Sequence, residues 1–322
     1  MTKPKIGILL GTRGLVMKAQ REDRATSSEV VFDLAERAEQ AGLDSVWVGD
    51  SLVSKPRLEP VATMSAIAAR TSRVRIGTAV MLPALRHPVP LAHSISTADI
   101  LSNGRLVIGA GIGGAFNKDQ QSDWIAAGVD PSERAGRFTE AVRIMKQLWT
   151  GNDVQFEGKH FKIDGVTLDP KPVQPGGVPL LLATHYRTGS EAQIRRTARY
   201  GDGMIGITDS PDEYSETVSK VGEAIAEYNR DSSSFQYVYY LTVNIGTDQG
   251  LAQSEARDFL MAYYKVEHWG SAWGPWGTAN EVYARINEFA DAGADTVIVR
   301  FASWDQLGQW ERFEQDVWPM FC

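Results

Sequence analysis

Two short stretches, Ala41-Gly42-Leu43-Asp44-Ser45-Val46-Trp47-Val48 and Ala292-Gly293-Ala294-Asp295-Thr296-Val297-Ile298-Val299, repeat one pattern and decide how the chain is read. Each leaves a helical stripe at a small residue, turns on a glycine and enters a run of consecutive apolar side chains. A run that is apolar at successive positions suits a strand covered on both faces, as in a parallel sheet. Working outward from these two, eight such runs appear: Ile6 to Leu10, Ser45 to Gly49, Val74 to Leu82, Arg105 to Ala110, Val178 to Ala183, Met204 to Ile207, Val238 to Ile245 and Thr296 to Phe301. Segments with apolar residues every three or four positions separate them, which is the strand-then-helix alternation of an α/β chain. Eight such units in 322 residues predict one domain over 1–322, folded as a closed TIM (β/α)8 barrel, with an open doubly wound sheet as the alternative.

Helix signals support the count. Thr26 with Glu29 reads as a capping box opening the stripe Val30, Leu34, Ala38, Ala41, and Gly42 supplies a left-handed stop. Pro60 and Pro131 suit first-turn positions. Leu91, Ile95, Ala98 and Leu101 form a stripe ended by Asn103-Gly104, and Phe138, Val142, Met145 and Trp149 form another. Two stretches exceed a minimal barrel. An insertion at about 112–177 separates the fourth and fifth strands, and Asp153 to Asp169 within it reads as a hairpin turning at Glu157-Gly158-Lys159. A Trp- and Gly-rich lid at about 265–278 carries Trp269, Trp273 and Trp276, which either line a pocket or pack under a loop. Both follow strand ends, so a barrel places both on its C-terminal face, where barrels of this kind bind substrates.

Composition narrows the function. The chain is 43% hydrophobic and 23% charged, an ordinary globular balance, and its single cysteine, Cys322, leaves no disulfide framework and no cysteine-built metal site. The opening MTKPKIGILLGTRG is too short in its apolar part for a secretory signal, and no run approaches the roughly 18 apolar residues of a membrane span. The expectation is a cytoplasmic protein acting on a small molecule. A net charge of −7 without a dense Lys/Arg block argues against nucleic acid or an anionic membrane as partner.

Several residues stand where chemistry would be done. Gly109-Ala110-Gly111-Ile112-Gly113-Gly114 leaves the fourth strand as bare backbone able to approach a phosphate or a flat ring, or simply as a flexible exit. It lacks the dinucleotide-binding spacing. Thr188-Gly189-Ser190 precedes a helical stripe from Glu191 to Tyr200, so its N–H groups and the helix dipole suit an anion, unless Ser190 is a plain N-cap. Asp50-Ser51 ends the second strand and Thr12-Arg13 the first, both at positions where barrels carry site residues. His87, His93, His160, His185 and His268 show no zinc-ligand spacing, and no metal site is expected. His87 reads as structural, while His185 and His268 adjoin candidate pocket segments. No nucleophile elbow, Walker loop or Cys/His pairing is present, nor the strand-end lysine or paired carboxylates of an aldolase or isomerase barrel.

At this point a family resemblance enters. Arg75-Ile76-Gly77-Thr78-Ala79-Val80-Met81-Leu82-Pro83, His87-Pro88-Val89 and Leu101-Ser102-Asn103-Gly104-Arg105-Leu106-Val107-Ile108-Gly109 resemble bacterial-luciferase-like monooxygenases. So do Glu133-Arg134-Ala135-Gly136-Arg137-Phe138-Thr139-Glu140, Leu148-Trp149-Thr150-Gly151, Pro170-Lys171-Pro172-Val173-Gln174 and Tyr200-Gly201-Asp202-Gly203, in the family's order. The resemblance implies a ring cofactor lying across the strand ends against a bulge in the third strand, at Thr78, Ala79 and Val80, with a non-prolyl cis peptide at Ala79-Val80. It implies a phosphate held by Gly111, Arg134, Thr184, Gly189 and Ser190, with Arg137 competing for the arginine's place. Asp50 and Ser51 stand where many relatives place a histidine that is catalytic or touches the cofactor. That departure leaves light emission unsupported, weakens a sugar-phosphate dehydrogenase reading, and leaves Asp50, His185 or the cofactor itself to handle protons. The resemblance implies reduced FMN reacting with dioxygen to oxygenate a small organic substrate, a separate flavin reductase as supplier, and a homodimer. The alternatives are hydride transfer with the deazaflavin coenzyme F420, for whose polyanionic tail Arg187, Arg195 and Arg196 lie near, and a non-catalytic flavin-binding protein.

Overall fold

The computed structural model describes residues 3–265 and 273–322. All eight apolar runs become barrel strands: β1 (Lys5–Leu9), β2 (Ser45–Val48), β3 (Arg75–Met81), β4 (Leu106–Ala110), β7 (Leu180–Ala183), β8 (Gly203–Gly206), β9 (Gln236–Ile245) and β11 (Thr296–Phe301). The remaining three are β5 (Val154–Glu157) and β6 (Lys162–Val166), which pair antiparallel as the expected hairpin, and the two-residue β10 (Trp276–Gly277), which adds to β9 outside the ring. In the ring, β1 lies between β11 and β2, the order continues through β3, β4, β7 and β8, and β8 pairs with β9. β9 then pairs with β11, so the parallel sheet closes on itself. An open doubly wound sheet is thereby excluded.

Strand periodicity sorts the core into two layers. On β1, Ile6 and Ile8 face the helices while Leu9 faces inward; on β2, Val46 and Val48 face outward and Trp47 inward; on β11, Val297 and Val299 face outward and Ile298 inward. The inner cluster takes members from every barrel strand, including Ala79, Val107, Leu181, Ile205, Val238 and Tyr240. This is a packed interior rather than a pore. Trp47 fills much of its lower part and donates its indole N–H to Ser45 Oγ at 2.9 Å.

Eleven α-helices surround the strands: α1 (Thr12–Arg21), α2 (Glu29–Ala41), α3 (Pro60–Arg70), α4 (Pro88–Leu101), α5 (Lys118–Ala126), α6 (Arg134–Thr150), α7 (Glu191–Tyr200), α8 (Pro211–Glu227), α9 (Gln249–Tyr264), α10 (Ala279–Asp291) and α11 (Gln306–Arg312). Gly42 is left-handed at φ 88°, the stop expected for α2, but the box expected at Thr26 is not there. Ser28 is the N-cap of α2 and makes no side-chain cap bond; the reciprocal boxes form instead at Ser210/Glu213 on α8 and Thr278/Glu281 on α10. Thr12 and Arg13, read as closing the first strand, open α1. The excursion between β4 and β7 carries α5, α6 and the β5–β6 hairpin. Glu140 on α6 pins that hairpin by accepting the N–H groups of Lys159, His160 and Phe161 at 2.8, 2.9 and 3.0 Å. No helix among the described residues is long and apolar enough to cross a membrane.

Candidate functional site

A cavity opens at the C-terminal mouth of the barrel. Leu9, Asp50, Ser51, Ala79, Val80, Ile207 and Tyr240 line it from the strands and their ends, and Lys55, Arg57, Tyr263 and Tyr264 line it from the segments beyond them. Pairing of β3 with β4 slips between Thr78 and Met81, and the Ala79–Val80 peptide is cis, as expected. Small side chains there leave the strand edge open to a flat group. Thr78 has a different place: it is fully buried and donates to the Gly109 carbonyl at 2.8 Å, holding β3 to β4 from inside. Gly111 continues the open edge. A Cβ at this glycine would stand 2.9 Å from Val80 Cγ2 and 3.6 Å from Ala183 Cβ, so only bare backbone leaves the space between the ends of β3 and β7 clear.

Asp50 reaches the mouth with both carboxylate oxygens engaged. Arg86 donates from Nη1 to Oδ2 at 2.6 Å and from Nη2 to Oδ1 at 2.9 Å, and the Leu82 N–H donates to Oδ2 at 2.9 Å. A carboxylate held in this bidentate way anchors the loop after β3 and is poorly placed as a free base. Ser51 donates to Asp123 Oδ2 at 3.0 Å, and Asp123 also accepts the N–H groups of Val53 and Ser54 at 2.6 and 2.7 Å and the Ser54 hydroxyl at 2.6 Å. Burial would raise the pKa of Asp123, but these bonds outweigh it and hold the carboxyl below its ordinary range.

The other expected residues gather in a separate groove between α7 and α8. His185, Tyr186, Gly189, Ser190, Arg195 and Lys220 line it. Gly189 is left-handed at φ 56°, and Ser190 is the N-cap of α7 without a side-chain cap bond, so its hydroxyl is not bound up as a plain cap. His185 Nδ1 is buried without a partner. Burial pushes the His185 pKa down to about 4 against a hydrogen bond to the Ile207 backbone, so the ring is neutral at pH 7. Thr184 is internal: its hydroxyl bonds the Leu182 carbonyl at 3.0 Å and Thr197 Oγ1 at 2.8 Å. Asp50 and His185, the two alternatives expected to handle protons, thus line different clefts. Gly111 stands between Val80 and Ala183, at the ends of β3, β4 and β7.

The candidate arginines divide. Arg134 donates to the Pro131 carbonyl at 2.8 Å, while Arg137 donates to the Ala84 carbonyl at 3.2 Å and lies 4.6 Å from the centre of the Phe161 ring. Arg187 pairs with Glu213 and Arg195 with Glu191, whereas Arg196 lies over the Phe138 ring at 5.6 Å. Trp273 is buried with Arg300 5.0 Å from its ring centre, and Trp276 begins β10; Trp269 and His268 lie outside the described residues.

Sequence reading marked Arg13 by its place after the first strand but missed Lys55, Arg57 and Arg300 at the mouth. Arg300, at an inward position of β11, pairs in register with Thr242 of β9 and donates Nε to its hydroxyl at 3.0 Å and Nη1 to Tyr264 at 2.5 Å. Arg13 sits 4.1 Å from the centre of the Tyr263 ring and Lys55 5.5 Å from that of Tyr264. Burial would push the Tyr263 hydroxyl up, but Arg57, Arg300, Arg13 and Lys55 outweigh it and pull its pKa below the ordinary tyrosine range. A period-2 count along Thr296 to Phe301 puts Arg300 on the inner face, the one signal that marks this residue in the sequence.

Comparison with known proteins agrees with this geometry. The chain is 28% identical over 321 residues to the F420-dependent glucose-6-phosphate dehydrogenase of Amycolatopsis mediterranei (strain U-32), covering 90% of this chain and 93% of the relative. Among solved structures, monooxygenase RslO1 from Streptomyces bottropensis superimposes with a TM-score of 0.80 at 23% identity, over 99% of this chain and 100% of that one. An F420-dependent secondary alcohol dehydrogenase solved with an F420–acetone adduct gives 0.78 at 23% identity, over 100% of both chains. The luciferase-like monooxygenase family model matches residues 5–274, and the chain belongs to that family.

Proposed function

We propose that this protein is an oxidoreductase that passes a hydride between a small organic substrate and coenzyme F420, a dehydrogenase rather than an oxygenase. The observation that carries the reading is the match to relatives named as F420-dependent dehydrogenases, which runs along 90% of this chain. It replaces reduced FMN as the first choice of cofactor. The residues present fit such a group: an open strand edge at Ala79 and Val80, a cradle at Gly111 that a Cβ would fill, and an orphan His185 Nδ1 beside the uncapped start of α7.

When bound, the deazaflavin supplies a ring that accepts or gives a hydride at carbon. The chain supplies the rest. Ala79, Val80 and Gly111 would support the ring, and the Gly189 and Ser190 N–H groups at the start of α7 would take the phosphate, favoured by the helix dipole. Arg196 stands on α7 itself and Arg134 at the start of α6. Tyr263, lining the mouth and ringed by cations, is the group placed to hold the proton that leaves a substrate hydroxyl, at its Oη. Asp50, fixed by Arg86, keeps the β3 exit in position.

One observation favours FMN as a second reading. Arg195 and Lys220 in the groove are paired with glutamates, and so is Arg187 near it in the chain, which leaves less free positive charge for a polyanionic tail. Titration of the purified protein with F420 and with FMN, followed by fluorescence, decides between them. F420 is expected to bind more tightly, and its absorbance to bleach when a panel of secondary alcohols is added. Tighter binding of FMN, with no alcohol-dependent bleaching of F420, would overturn the reading.

A further inference from the structure

The mouth of the barrel has an unusual charge balance. Lys55 and Arg57 line the cavity, while Arg13 and Arg300 stand beside the ring of Tyr263, at 4.1 and 5.5 Å from its centre. Arg13 is 5% and Arg300 3% exposed. Arg13 Nε and Nη1 and Arg300 Nη2 are buried without a hydrogen-bond partner. None of the four cations forms an ion pair with an acid among the described residues. Among the described residues two carboxylates line the cavity: Asp50 is paired with Arg86, while Asp123 is held by the neutral donors of Ser51, Val53 and Ser54 and its charge acts on Lys55. Among these residues four cations thus face one unpaired carboxylate, and the balance stays positive.

Buried charges are stable when paired, and an unpaired cluster is a standing cost to the fold. A protein keeps such a cluster where a ligand of opposite sign completes it. The adjoining surfaces are apolar or aromatic: Leu9, Ile207, Tyr240 and Tyr264. A group entering here therefore meets positive charge on one side and a dry wall on the other.

We propose that the mouth is an oxyanion seat and that the substrate carries a carboxylate or phosphate group, which Lys55 and Arg57 contact directly while Arg13 and Arg300 raise the local positive potential. The inference deepens the hydride-transfer reading and rests on it for the identity of this cleft as the substrate's place. An anchored anion would fix the substrate's other end over the strand edge at Ala79 and Val80, and positioning of that kind is the protein's main share in cofactor chemistry.

The test uses the full chain without cofactor. Titration calorimetry at low salt measures binding of inorganic phosphate and, separately, of oxalate, to the wild type and to Lys55→Met, Arg57→Met and Lys55→Arg. At least one of the two anions is expected to bind, about tenfold more weakly to each methionine variant and near normally to Lys55→Arg. The stronger of the two names the group the substrate carries. Thermal melts and circular dichroism check that each variant is folded. F420 titration of the same samples keeps the two ideas apart: F420 binding without anion binding sinks the seat and leaves the hydride-transfer reading. Anion binding lost in the methionine variants, in a protein that takes no F420, supports the seat and sinks that reading. Anion binding that survives in both methionine variants belongs to the groove at Ser190 and overturns the proposal.

Discussion

Arg86 holds both oxygens of Asp50, at 2.6 and 2.9 Å, and the Asp50 side chain is wholly buried. Arg86→Met should therefore leave an uncompensated carboxylate beneath the β3 exit and destabilise the protein by ~3 kcal/mol in urea unfolding. Adding Asp50→Asn should recover part of that loss. A single variant as stable as the wild type would show that the pair contributes nothing.

The buried His185 ring gives a pH dependence with a definite sign. Its pKa falls from 6.5 to about 4 on folding, because burial disfavours the charged form. Between those values the unfolded chain binds more protons, so stability rises with pH. The contribution is intact above pH 6.5 and is lost as pH falls toward 4. Urea midpoints measured from pH 7.5 to 4.5 should drop along this limb, and His185→Gln should flatten it. An unchanged slope in the variant would place the acid sensitivity elsewhere.

Gly111 keeps the space between the ends of β3 and β7 clear. A methyl group there would meet Val80 Cγ2 at 2.9 Å and intrude on the cradle. Gly111→Ala is expected to weaken F420 binding about tenfold, the effect of modest overpacking. Val80→Ala in the same chain should restore much of it, because the crowded atom is then gone. Fluorescence titration of the single and double variants checks both statements; a single variant that binds like the wild type would remove Gly111 from the cofactor's path.

Much of the barrel was legible because strand periodicity and turn chemistry are local. The run Val46-Trp47-Val48 declares a strand covered on both faces, and Gly42 declares the helix end before it. The hairpin of β5 and β6 was legible for the same reason. The start of α2 was not, since Thr26 and Ser28 offer similar capping chemistry and the helix begins after the later one with no side-chain cap bond. Family resemblance pointed to Ala79, Val80 and Gly111, where backbone shape rather than side-chain chemistry is at stake. It implied Thr78 and Thr184 at the cofactor as well; their hydroxyls make internal hydrogen bonds to Gly109 on the neighbouring strand and to Thr197 on the following helix. Most of the cation cluster was hidden because it is assembled from α1, the loop after β2 and β11 around the tyrosines of α9, and no single segment carries more than two of its cations.

On β11 the interior turns from oily to ionic in a single pleat, from Ile298 to Arg300. Loss or gain of one residue within this strand would swing the guanidinium out among the helices and drive Phe301 into the opening. Length variation among natural homologues should therefore accumulate in the connecting segments and be purged from this strand, whatever molecule each homologue has come to process.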